Sequence, residues 1–114
     1  MTVKQALEMV KIGWRFDEKN YPLMNTLPAH YLKANFFGIH HVLLHIHKAT
    51  GKIATVIESA EHRREADYVI AQSSSEARDA AKKMFVNALR LADLFGLSAS
   101  DLENYVSSEF SPKP

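Results

Sequence analysis

Cysteine is absent from the 114 residues, so no disulfide framework, thiolate nucleophile or cysteine metal site can be built. That fits a reducing compartment. An excess of charge of one sign is also missing. The 14 basic residues meet 13 acidic ones for a net charge of +1, which gives no global attraction to nucleic acid or to an anionic membrane. Long hydrophobic runs are lacking too. His40, His41, His45 and His47 interrupt the most apolar stretch, and no run approaches the roughly 18 residues that a bilayer span needs. The N-terminal residues carry scattered charges without the apolar core of a signal peptide. There is no strand pattern, no internal repeat, no glycine-rich phosphate loop and no readable serine–histidine–acid arrangement. The expectation is a cytoplasmic protein that binds neither nucleic acid nor membrane.

What is present is helical. Hydrophobic residues make up 46% and charged residues 24%, which describes a globular chain of one domain, residues 1–114. Val3, Leu7, Val10 and Trp14 lie on one helical face, with Thr2 placed to cap it. Asp17 to Pro28 reads as a loop with one short helical turn, and Pro28 suits the start of the next helix. A long second helix is expected from His30 to about His62. Its apolar stripe is Ile39, Val42, Ile46, Ile53, Val56, Ile57 and Ala60. Gly38 and Gly51 inside it mark either close packing or a kink. The segment HRREADYVIAQ either extends this helix or forms a short one of its own.

Ser73 and Glu76 have capping-box spacing and open a third helix that runs to Phe95. Its stripe is Ala81, Met84, Phe85, Ala88, Leu91, Ala92 and Phe95, while Val86, Leu89 and Leu94 lie off it. A helix apolar on more than one side is buried on more than one side. Gly96 suits a left-handed stop, and Ser98 with Asp101 caps a fourth helix to about Val106, before a frayed tail over 107–114. The fold class is therefore all-α: four helices, two of them long and central.

The run LRLADLFGLSASDLENYV resembles the C-terminal half of MazG-type nucleotide pyrophosphohydrolases. Leu89, Arg90, Leu91, Ala92, Asp93, Gly96, Leu97 and Leu102 fit that pattern. The segment KATGKIATVIE resembles the family's first metal-binding helix, and Trp14 sits where a tryptophan often precedes the first loop. The resemblance implies a MazG-like helical bundle completed by oligomerisation as a homodimer or homotetramer. It also implies an enzyme that splits nucleoside triphosphates with Mg²⁺ held by clustered carboxylates, the hard oxygen ligands this ion requires.

The carboxylates are missing where the resemblance would put them. With Gly51 as anchor, the three glutamates of the first metal helix fall on Lys48, Ala49 and Lys52. With Arg90 as anchor, the glutamate and aspartate of the second fall on Ala80 and Lys83. The expectation is a non-catalytic nucleotide-binding or assembly module without a cofactor, in which Lys48, Lys52 and Lys83 attract a nucleotide phosphate or another anion. Two alternatives remain open. One is an active Mg²⁺-dependent hydrolase with displaced ligands Glu58, Glu61, Glu76 and Asp79. The other is a purely structural helical oligomer. Separately, His41 and His45 lie four apart on one helical face and could begin a zinc or nickel site, for which further ligands would be needed.

Overall fold

The computed structural model describes residues 1–62 and 72–112, so most of the HRREADYVIAQ segment lies outside the described residues. Among the described residues every regular element is helical. Helix α1 spans Val3–Gly13, a 3₁₀ turn Pro22–Thr26, α2 Ala29–Lys33, α3 Phe36–Glu61, α4 Ser75–Leu94 and α5 Ala99–Phe110. None is long and apolar enough to cross a membrane. Contacts cluster into two compact units, residues 1–39 with 89–114 and residues 40–88.

The helix ends follow local chemistry. Thr2 accepts from the Gln5 amide while the Gln5 side chain accepts from the Thr2 amide, a complete capping box. Ser98 and Asp101 form a second one at the start of α5. Gly96, at φ 73°, closes α4 in the left-handed region, where glycine carries no Cβ penalty.

Three boundaries differ from the sequence expectation. The long second helix is two helices, because Asn35 takes φ 60° and stops α2 before α3 begins. Asparagine tolerates that conformation better than most residues, and the Tyr31 and Phe36 rings, 5.6 Å apart, pack across the break. Helix α4 begins at Ser75, and the Ser74 hydroxyl accepts from the Ala77 amide at 3.3 Å. Helix α5 continues past Val106 to Phe110, so residues 107–110 of the expected tail are helical.

In the first unit, α1 packs on α5, and Leu7 and Met24 are buried. Most of the remaining packing is aromatic. Phe16 stacks on Tyr21 at 5.3 Å, and the Phe37 ring meets both edge-on at 6.1 and 5.4 Å. Gly38 packs closely beside them: a Cβ there would lie 3.0 Å from Phe16 Cδ2 and 3.1 Å from Leu94 Cδ2, so these side chains would have to give by a few tenths of an ångström.

The second unit is built on a seam. On α3 the inward positions are Val42, Ile46, Ala49, Ile53, Val56 and Ala60; on α4 they are Ala77, Ala80, Met84 and Asn87. Steps of four and three alternate along both, the spacing of helices that pack nearly parallel in axis. Ile53 and Val56 share an open apolar recess with Ala77 and Ala81.

The expected stripe of α4 is thereby corrected. Ala81, Phe85 and Ala88 are exposed, Phe85 by 65%, and Phe95 in the first unit is exposed by 62%. The line actually buried includes Asn87 and Arg90, polar residues that a count of apolar side chains passes over.

Candidate functional site

The residues singled out from sequence fall into separate clusters. Lys52 and Lys83 surround Asp79: the Lys83 Nζ lies 3.0 Å from Asp79 Oδ2, one helical turn away on α4. The hydrogen bond from Lys83 and then its charge hold the Asp79 carboxyl below the usual aspartate value, with Lys82 and Lys52 adding smaller pulls in the same direction. Lys48, one helical turn before Lys52 on α3, bears with its charge on His41. All three lysines are exposed. The cationic face is thus partly neutralised by a carboxylate at its centre.

Glu76 and Asp79 line one open depression of ≈ 610 Å³ at the start of α4, together with Ser73, Ser75, Arg78 and Lys82. Glu58 and Glu61 do not line it; they lie exposed at the end of α3. Among the described residues, no three histidine, aspartate or glutamate side chains come together as a metal-holding group.

The positions that the family resemblance assigns to magnesium do not suit that ion. Ala49 and Ala80 are 5% and 1% exposed, and a buried methyl side chain offers a cation no ligand. Lys48, Lys52 and Lys83 present ammonium groups, which cannot donate a lone pair to a metal when protonated and which repel it. No step of metal-assisted hydrolysis can be routed through these side chains.

His41 and His45 do meet. Their Nε2 atoms are 3.1 Å apart and their rings 4.8 Å, edge to face. Partial burial lowers the His41 pKa from the ordinary histidine value, and the charges of His45 and Lys48 lower it further.

One polar side chain, an anchor of the family resemblance, is held by several groups at once. Arg90 is 6% exposed. Its Nε donates to the Trp14 carbonyl oxygen at 3.0 Å, its Nη1 pairs with Asp93, and its guanidinium lies 4.9 Å above the centre of the Phe16 ring. Trp14 Nε1 donates in turn to the Tyr21 hydroxyl at 2.8 Å. Burial lowers the Arg90 pKa while Asp93 opposes the shift. This clasp ties the segment after α1 to the end of α4, and its role is to hold the fold. Trp14 and Arg90 both stood out in sequence, but nothing there showed that they touch. Asn87, one turn earlier, donates to the Lys83 carbonyl at 2.6 Å while its Oδ1 lies buried without a hydrogen-bond partner.

No protein-family model, curated protein or solved structure matches the chain.

Proposed function

We propose that this chain is a MazG-like helical module that has given up metal-dependent hydrolysis and works by assembling with further copies of itself. The observation that carries the reading is the outer face of α4. Ala81, Phe85 and Ala88 recur at i, i+4 and i+7, all exposed, on a helix whose seam side is already packed. Val86 on the same helix, and Leu44 and Ile57 on α3, add exposed apolar surface. Apolar side chains at helical spacing gain by leaving water, at about 25 cal/mol per Å² buried. A net charge of +1 opposes self-association weakly. A second copy supplies the same helical face, so two-fold pairing is self-complementary. The buried alanines at two expected magnesium positions support the loss of catalysis. The Phe85→Asp chain is expected to stay helical by circular dichroism and to drop to the mass of a monomer by light scattering. An unchanged mass would remove the α4 face from the interface.

A second reading is favoured by the lysines around Asp79: this face binds a nucleotide phosphate or similar anion without a metal. Lys82, Lys83 and Lys52 all act on that carboxylate. Binding should be weak, sensitive to salt and reduced in Lys52→Glu. The remaining alternative, an active hydrolase, predicts pyrophosphate release from nucleoside triphosphates with Mg²⁺ or Mn²⁺ that Glu61→Gln abolishes. The assembly reading predicts no release.

A further inference from the structure

The histidine pair on α3 has a use that neither assembly nor anion binding absorbs. Two Nε2 atoms of side chains one helical turn apart converge to 3.1 Å, with both rings half-buried. A divalent ion bound by two imidazole nitrogens at about 2.05 Å holds them about 2.9 Å apart at a right angle and about 3.3 Å apart at the tetrahedral angle. The observed spacing lies between these values, so both nitrogens can reach one ion with little movement of the helix. As neutral rings in hydrogen-bond contact, one Nε2 carries a hydrogen and the other accepts it. Moving that hydrogen to Nδ1 of the same ring frees both Nε2 lone pairs for a metal, with no net loss of a proton.

We propose that His41 and His45 form a two-imidazole chelate for a borderline first-row divalent cation, of the class of Zn²⁺, Ni²⁺, Cu²⁺ and Co²⁺. Imidazole nitrogen suits these ions and is a poor match to Mg²⁺ or Ca²⁺, which prefer oxygen. Two protein ligands leave at least two coordination positions for water or for a small donor from solution. The Lys48 ammonium, which acts on His41, works against the bound charge and keeps the site weaker than a structural zinc site. His40 and His47 flank the pair on the same helix and are exposed.

The test titrates ZnCl₂ and NiCl₂ into the untagged full chain by isothermal calorimetry, with MgCl₂ as the contrasting ion. One Zn²⁺ or Ni²⁺ per chain is expected, with no heat from Mg²⁺. His41→Gln and His45→Gln should each weaken binding by about tenfold or more, since each removes half of the chelate. His40→Gln and His47→Gln should leave it unchanged. Circular dichroism checks that each variant keeps its helicity. On the unmutated chain, the imidazole proton resonances of His41 and His45 should shift together on adding Zn²⁺ while those of His40 and His47 stay in place. Absence of binding, equal loss in the flanking variants, or a shift of only one of the two rings would each overturn the site. The readout is stoichiometry per chain, so it stands whether the protein is a monomer or an oligomer.

Discussion

The two units of this chain meet the same shortage of core in opposite ways. In residues 1–39 and 89–114, a buried arginine lies over the Phe16 ring and donates to a backbone carbonyl, and a Cβ at Gly38 would press on Phe16 and Leu94 at 3.0 and 3.1 Å. In residues 40–88, small side chains close a regular seam and apolar residues are left facing outward, while a Cβ at Gly51 would meet nothing within 4 Å. The first unit is held by specific polar and aromatic contacts and leaves Ile12, Phe95 and Phe110 exposed among others; the second leaves Ala81, Phe85 and Ala88 exposed at helical spacing on one helix.

The sharpest way to break this contrast is to remove the clasp. Arg90→Met leaves the half-buried Asp93 carboxylate and the Trp14 carbonyl without their guanidinium partner. A loss of about 3 kcal/mol is expected, read as a lower urea midpoint, and Arg90→Lys should restore only part of it. A surface-like loss below about 0.5 kcal/mol would show that the clasp does not hold the unit.

The next test uses one chemical change in both units. Gly51→Ala relieves a helix interior of glycine with open space around it and should stabilise by about 1 kcal/mol. Gly38→Ala gains the same helix propensity but drives its methyl against Phe16 and Leu94, where overpacking of about 1–3 kcal/mol more than cancels it. Opposite signs in thermal or urea unfolding support the contrast; equal signs would erase it.

A smaller effect is expected from pH. The folded chain holds the His41 pKa below its ordinary value of 6.5, through burial first and then the charges of His45 and Lys48. The unfolded chain therefore takes up a proton more readily, and stability present above pH 6.5 declines as pH falls through that value toward the folded pKa. His41→Gln should flatten this decline. The smallest effect belongs to Asp79→Asn. The Asp79–Lys83 pair is more than half exposed on both sides, and its loss should leave the unfolding midpoint unchanged within error.

What was legible in the sequence was mostly local. Thr2, Gly96, Ser98 and Asp101 declared the helix ends because a cap is a contact between neighbours in the chain. Most of the stripe of α3 is readable because its seam positions are apolar, but Ile57 of the expected stripe is exposed and the buried Ala49 lies outside that expectation. That of α4 was not: its buried line contains Asn87 and Arg90, while the more apolar line through Ala81, Phe85 and Ala88 is exposed. The break at Asn35 was missed because one residue with positive φ leaves the apolar period on either side intact. The Arg90 clasp closes over 76 positions of sequence, a distance at which periodicity carries no information. Of the candidate site, the spacing of His41 and His45 anticipates their meeting, whereas the ion pair of Lys83 with Asp79 needs coordinates.

The proposed function turns on the outward apolar face of the second unit being a surface for another copy. Sedimentation equilibrium of the unmodified chain across the micromolar range tests this most directly. A dimer or tetramer that persists at the lowest concentration is the predicted result; a monomer throughout would contradict it.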